Sequence, residues 1–251
     1  LINIRTKGCV LNHSSNTDCD IMKAVCEYYY PDAVAMSTLQ HNVYDKIRKE
    51  GGDGDHTIWA TSLCSDEITN SFHYFTQKMA GPGPFILGGI TGLPFAGVTG
   101  MKAFLSHVPT GGKAMIVYGP HIGVTQEGEL GKVRRKNRDG HSTCCGSITA
   151  ALDSIRVHAS GVQDDPLDYQ QSRVIEHLNA HREDILAADH PVKVATDRAF
   201  EAIEQKLERI LDQALPDFAG IQVVLVGGIE INTDWDQEDY FDLRTYRWIE
   251  S

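Results

Sequence analysis

Cysteine and histidine side chains occur at three separate points of the chain, two of them where an apolar run gives way to glycine or small polar residues. Cys64 directly follows one such run, and His121 lies in a Gly-Pro-His-Ile-Gly turn after another. The vicinal pair Cys144 and Cys145 precedes a glycine. Two thiolates and one imidazole with a fourth position open are the pattern of a catalytic zinc site. The spacing of these residues along the chain matches no zinc finger or zinc ribbon. Such a site would therefore form only if the fold brings the three points together.

The sequence leaves open which cysteine of the vicinal pair would bind a metal. We favour Cys145 because the glycine beside it allows close approach, and Cys144 is the alternative. Asp66 lies two residues beyond Cys64 and could contact a metal-bound water, although it would also suit the start of a helix. Cys64 and His121 could instead be the nucleophile and base of a redox or hydrolytic enzyme.

The segments before Cys64 and His121 have the composition of buried strands. Residues 56–63 and 113–118 are apolar and β-branched, and 221–227 is the most strand-like stretch of the chain. Helical patterns separate them, over about 17–30, 66–79, 100–107, 142–158 and most of 166–213. This alternation predicts an α/β fold with a central, mostly parallel β-sheet flanked by helices. In such folds reactive groups gather beyond the carboxyl ends of the strands.

Length and composition are those of an ordinary globular chain, with 251 residues, 41% of them hydrophobic. We expect one domain over 1–251, with a helical N-terminal part over about 1–50. A chain of this length can fold without a metal, so a metal site would be functional. The net charge of −11 disfavours nucleic acid and anionic membranes as partners. Six cysteines are too few for a disulfide scaffold and indicate a reducing compartment.

Residues 81–100 are rich in glycine and proline and cannot form one regular helix. Such a segment allows a backbone to approach another group closely. It contains neither a Gly-x-x-x-x-Gly-Lys-Ser/Thr pattern nor Gly-x-Gly-x-x-Gly between a strand and a helix, so nucleotide binding is disfavoured.

Several of these motifs, in the same order over residues 57–241, resemble the limiting-CO2-inducible B protein (LCIB) family of algae. That family is similar in fold to β-type carbonic anhydrases, and its diatom members are also called θ-type enzymes. The motifs that carry the resemblance are Cys64-Ser-Asp-Glu67, Gly-Gly-Ile-Thr-Gly-Leu-Pro-Phe-Ala-Gly-Val-Thr-Gly (88–100), Phe104-Leu-Ser-His-Val-Pro109, Gly119-Pro-His-Ile-Gly123, Gly131-Lys-Val133 with an arginine after it, Ser142-Thr-Cys-Cys-Gly146, Leu225-Val-Gly-Gly-Ile-Glu-Ile-Asn-Thr233 and Asp239-Tyr-Phe241.

The resemblance implies a carbonic anhydrase, a lyase that reversibly hydrates CO2 to bicarbonate. It implies Zn2+ bound by Cys64, His121 and Cys145, and a zinc hydroxide that attacks CO2. It further implies a homodimer in the chloroplast of an alga, acting in carbon concentration, with its targeting segment absent from this chain. The alternative is a family member that binds zinc and bicarbonate without turnover and acts by assembly or sensing.

The resemblance also assigns catalytic roles, with two departures from the β-type pattern Cys-x-Asp-x-Arg and His-x-x-Cys. Ile68 stands where the arginine would hold Asp66, and a long insertion with a basic run separates His121 from Cys145. We expect an arginine of that run to keep Asp66 ionised, and we favour Arg135 over Arg134.

Three further expectations concern the surroundings of the site. The apolar wall near CO2 is expected from Phe85, Leu93 and Phe95. Either His107 or His141 is expected to shuttle protons. Aromatic residues are enriched at interfaces, so the homodimer contact is expected at Tyr28-Tyr29-Tyr30 and Tyr240-Phe241.

Overall fold

Strands and helices alternate along most of the chain, as the sequence predicts. The computed structural model describes residues 16–157 and 164–250. The strands are β1 (Val34–Ala35), β2 (Thr57–Ser62), β3 (Phe85–Ile86), β4 (Lys113–Tyr118), β5 (His121–Gly123), β6 (Lys132–Arg134), β7 (His141–Thr143), β8 (Gln222–Asn232) and β9 (Tyr240–Glu250). The helices are α1 (Asn16–Tyr29), α2 (Met36–Lys49), α3 (His73–Lys78), α4 (Gly97–Leu105), α5 (Gly146–Val157), α6 (Tyr169–Asn179), α7 (Arg182–Ala187) and α8 (Pro191–Ala214).

The main sheet has the strand order β1-β9-β8-β4-β2-β3. Strands β3, β2, β4 and β8 run parallel, whereas β9 and β1 add antiparallel pairs at one side. Strand β5 follows β4 after a short turn and pairs with the later half of β8. The carboxyl ends of β2 and β4 therefore open at the same edge of the sheet, next to β5. The predicted α/β class is confirmed, with a mixed sheet flanked by helices.

Helices cover both faces of the central strands, which explains their continuous hydrophobic runs. Along β4, Ala114 and Ile116 belong to the core beneath α4, α5, α6 and α8. The alternate residues Met115 and Val117 belong to a second core beneath α2 and α3. This period of two is the pleat of a strand. No described helix has the length and apolar character needed to cross a bilayer.

The helix predicted over 66–79 is wrong in its first half, because only His73–Lys78 is helical. The Thr69 hydroxyl donates to the carbonyls of Cys64 (2.7 Å) and Asp66 (2.9 Å). A carboxylate oxygen of Asp66 also accepts the Ile68 amide at 3.3 Å. These local side-chain bonds compete with helical backbone bonds, so the chain turns instead.

The helix predicted from about 142 also begins later than expected. Ser142 and Thr143 lie in β7, which pairs antiparallel with β6 in a separate two-stranded sheet, and α5 begins only at Gly146. The inserted segment that carries the basic run is therefore a hairpin. Strand β9 was not anticipated, because many of its side chains are partly exposed and its hydrophobic pattern is weak.

Candidate metal site

The cysteines and the histidine predicted as metal ligands meet beyond the ends of the central strands. Cys64 follows β2, His121 begins β5, and Cys145 lies between β7 and α5. The turn before His121 requires Gly119, whose φ is +150°. A Cβ at this position would lie 1.7 Å from the carbonyl oxygen of Gly228. The absence of a side chain therefore lets the chain approach β8 and direct His121 towards the cysteines.

The three potential ligand atoms form one compact, buried group. One such atom each from Cys64, His121 and Cys145 lies within 4.8 Å of the others. The two sulfurs are 3.8 Å apart. The His121 Nε2 atom is buried and has no hydrogen-bond partner among the described residues. A buried polar atom without a partner is costly unless a ligand satisfies it, and two thiols with one imidazole suit zinc. The donor set therefore fits this metal.

The charge of the Cys64 sulfur is stabilised by neighbouring thiol and amide groups. The hydrogen bond from the Cys145 thiol lowers the pKa of Cys64, and the same contact raises the pKa of Cys145. The Thr91 amide donates to the Cys64 sulfur at 3.2 Å. Thiolate is the metal-binding form of cysteine, so this arrangement prepares one of the two sulfurs as a ligand.

The glycine-rich segment supplies that amide by approaching β2 and β4 closely. Gly92 has a φ of +96°, and a Cβ there would lie 2.4 Å from the carbonyl oxygen of Gly119. The hydroxyl of Ser62 at the end of β2 donates to the Gly92 carbonyl at 2.8 Å. The close backbone approach that the sequence indicated thus occurs beside the cysteines.

Asp66 and Arg135 form a bidentate ion pair next to the three ligand residues. The guanidinium donates to the two carboxylate oxygens at 3.1 and 3.0 Å. It also donates to the Ser142 hydroxyl at 3.0 Å and contacts Glu67. Burial raises the pKa of Asp66, but the hydrogen bonds from Arg135, together with the contact with Glu67 and the charge of His121, outweigh it, so the net pKa lies below its usual range. Arg134 points elsewhere and pairs with Asp236 at 2.9 Å.

A cavity of about 390 Å3 lies beside Cys64 and Asp66. Its apolar lining comes from Trp59, Leu63, Phe72, Pro84 and Ile86. The expected wall of Phe85, Leu93 and Phe95 is wrong, since none of the three lines this cavity. Phe85 packs against Phe104, Phe95 packs against Tyr169, and Leu93 lies in the core.

The two histidines considered as proton shuttles lie in different surroundings. The ring of His107 packs against Phe85, with 6.1 Å between centroids. His141 lies on β7 beside Glu127 and Glu129, at 3.9 and 3.6 Å. Neither lines the cavity, whereas His73, which sequence reasoning missed, does.

The aromatic residues expected at a dimer contact pack mostly within the chain. Tyr29, Tyr30, Tyr240 and Phe241 are buried, and Tyr28 is the exception, at 59% exposure. Burial among helices and strands of the same chain leaves the first four no surface for a partner. The sequence argument that placed the contact on these four residues is therefore wrong.

Comparisons with known proteins agree on one family. The profile of the limiting CO2-inducible proteins B/C, β-carbonic anhydrases, matches residues 33–250. The crystal structure of PtLCIB4, a homologue of the limiting CO2-inducible protein LCIB, is 32% identical with a TM-score of 0.84, over 91% of this chain and 95% of that chain. The structure of LCIB itself, 24% identical, has a TM-score of 0.67 over 89% and 96% of the two chains and shares the fold. No curated protein matches the sequence.

Proposed function

Because this chain belongs to the limiting CO2-inducible B/C family of β-carbonic anhydrases, we propose that it is a zinc enzyme that interconverts CO2 and bicarbonate. The observation that carries the proposal is the joint placement of two buried thiols, an imidazole nitrogen without a hydrogen-bond partner among the described residues and a bidentate Asp66–Arg135 pair. Cys64 and Asp66 of this group line one cavity. Either half of this arrangement alone would have a structural explanation. Together they form a metal site with an ionised carboxylate beside it.

Cys64, Cys145 and the Nε2 atom of His121 would hold the metal. When bound, zinc would supply the Lewis acidity that makes hydroxide available from water near neutral pH. Two thiolate ligands reduce the positive charge of the site. The Arg135 guanidinium at the rim partly offsets this, because it is a fixed cation only 16% exposed.

Asp66 would accept a hydrogen bond from the attacking water and so orient its oxygen towards CO2. Arg135 keeps this carboxylate ionised and holds both of its oxygens, which leaves little freedom for rotation. CO2 is apolar and small, and the side of the cavity formed by Trp59, Leu63 and Phe72 offers it an apolar wall.

We also propose that the protein acts as a homodimer with its cavity near the subunit contact. Strand β3 is at the edge of the sheet, and Ile86 on this strand is 63% exposed while lining the cavity. An exposed apolar residue on an open edge strand favours pairing with another chain. A role in carbon concentration in an algal plastid is proposed from the family alone.

The test is stopped-flow CO2 hydration on protein whose zinc content has been measured. We expect turnover in the zinc-loaded protein and a large loss in Asp66→Ala with zinc retained. Stoichiometric zinc without turnover would overturn the proposed carbonic anhydrase activity. The alternative would then remain, a family member that binds zinc and bicarbonate and acts by assembly. Protein that binds no zinc would overturn both.

A further inference from the structure

The sequence motif Gly-Ile-Glu-Ile-Asn-Thr at the end of β8 contains none of the ligands or catalytic residues proposed above. Its Asn232 is 1% exposed and contacts the proposed metal site through His121. The Nδ1 atom of the imidazole and the Oδ1 atom of Asn232 are 2.8 Å apart. An amide oxygen can only accept, so this contact requires the proton of the neutral imidazole to be on Nδ1. The lone pair is then on Nε2, the buried atom without a partner.

The orientation of the Asn232 amide follows from its other neighbours. Its nitrogen faces the carbonyl oxygen of Ile68 at 3.3 Å, a carboxylate oxygen of Glu230 at 3.2 Å and one of Asp239 at 3.3 Å. All three atoms are acceptors. A flipped amide would place its oxygen against three other oxygens and its NH2 group against His121, and hydrogen-bond networks of this kind decide amide orientation.

The two carboxyl groups are themselves held in place. One oxygen of Asp239 accepts the Ser71 hydroxyl at 2.7 Å, and the other accepts the Thr233 amide at 2.8 Å. Glu230 is fully buried on the strand that pairs with His121. The hydrogen bonds from Ser71 and Thr233 fix the Asp239 carboxylate, and burial on β8 fixes the place of Glu230 next to the Asn232 amide.

We infer that Asn232, clamped by Glu230 and Asp239, is a positioning residue that fixes the Nδ1-protonated form of His121 and presents Nε2 to the metal. The inference rests on the zinc site of the proposed function but not on turnover. Groups that orient a metal-binding histidine contribute about 10–100-fold to metal affinity. Asp239 is seven residues from Asn232 in the sequence, and the connection between β8 and β9 brings its carboxylate to 3.3 Å from the amide nitrogen.

The first test uses the wild-type protein loaded with zinc and labelled with 15N. Long-range 1H–15N correlation should show His121 with a protonated Nδ1 and a metal-bound Nε2. A metal-bound Nδ1 would overturn the inference, and this measurement does not depend on any variant folding.

The second test compares zinc dissociation constants, measured by chelator competition, in Asn232→Leu and Gln40→Leu. Both substitutions replace a buried carboxamide by a side chain of comparable size. Gln40 makes three hydrogen bonds, to Met36, Ser71 and Tyr74, none of which involves a metal ligand. We expect zinc affinity to fall about 10–100-fold in Asn232→Leu and to stay unchanged in Gln40→Leu.

The outcomes separate this inference from the proposed function. Equal zinc affinity in wild type and folded Asn232→Leu, or an equal loss in both leucine variants, would overturn the positioning role even if CO2 is hydrated. Zinc bound through Nε2 with the expected affinity loss would support it even if the wild type shows no turnover.

Discussion

Arg135 holds Asp66 through two nearly parallel hydrogen bonds, of 3.1 and 3.0 Å, across 69 residues of sequence. Both side chains are only 16% exposed. The arginine of this family member therefore reaches the carboxylate from the β6–β7 hairpin, while the position two residues after Asp66 is Ile68. The basic run in the insertion thus contributes to the site.

Removing either partner of this pair should reduce CO2 hydration while zinc remains bound. We expect Asp66→Ala to lose about 10²-fold or more in kcat/KM, which is the usual contribution of a group that handles the reacting proton. Arg135→Ala should lose about 10–100-fold, because it acts through Asp66. Stopped-flow hydration and elemental analysis of the same samples measure both quantities.

Arg134→Ala is the matched control for the arginine. Its ion pair with Asp236 has side-chain exposures of 41% and 39%, and such surface pairs contribute about 0–1 kcal/mol to stability. We expect hydration close to that of the wild type. A larger loss in Arg134→Ala than in Arg135→Ala would mean that the wrong arginine has been assigned.

Metal content should follow the three proposed ligands. The wild type should carry close to one zinc per chain, and Cys64→Ser, His121→Ala and Cys145→Ser should each lose it, because zinc sites of this type need every protein ligand. Cys26→Ser is the control, since Cys26 is a buried thiol of the core outside the ligand group. Elemental analysis after gel filtration measures the zinc content. About one zinc per chain in Cys64→Ser would contradict the proposed metal site.

The vicinal cysteines should differ in their effect on zinc. The Cys145 sulfur is 3.8 Å from that of Cys64, whereas the Cys144 sulfur lies 3.4 Å from Nδ1 of His121, on the nitrogen that Asn232 also contacts. Cys144→Ser should therefore retain zinc. Loss of zinc in Cys144→Ser together with retention in Cys145→Ser would reverse the assignment.

The oligomer prediction concerns the open edge of the sheet. A negative charge in place of Ile86, on edge strand β3, should weaken a subunit contact there, because forming the contact would bury an unpaired carboxylate. We expect Ile86→Glu to shift the assembly towards the 27.7 kDa monomer, measured by light scattering at micromolar concentration. Leu167→Glu is the control, at an apolar side chain that is 98% exposed. A wild type that is already monomeric would contradict the dimer.

The turn that delivers His121 should be intolerant of a side chain. Gly119→Ala would place a Cβ 1.7 Å from a β8 carbonyl, so the strands must separate. We expect a loss of about 2–4 kcal/mol in the free energy of unfolding. In Gly146→Ala the nearest atom is 3.9 Å away, and the loss should be under about 1 kcal/mol. Equal losses in urea unfolding would show that the close approach is not the cause.

The sequence by itself determined the residue types of the site and the class of the fold. Strand composition at 113–118 and 221–227 matches β4 and the first half of β8, because buried parallel strands need continuous apolar runs. The thiols, the imidazole and Asp66 can be recognised from the sequence because few other side chains bind zinc or accept a hydrogen bond from a metal-bound water. Their order along the chain also carried the family resemblance that the comparisons confirmed.

Tertiary structure decided what depends on distance between parts of the chain far apart in sequence. Which arginine meets Asp66 depends on where the β6–β7 hairpin lies, and a contact between residues 69 positions apart leaves no pattern in the local sequence. The lining of the cavity and the burial of Tyr29, Tyr30, Tyr240 and Phe241 depend on how helices cover the sheet. The contact of Asn232 with His121 arises from parallel pairing of β5 with β8, residues 111 positions apart. Residue type sets what a side chain can do, but only the packed chain sets which side chain it meets.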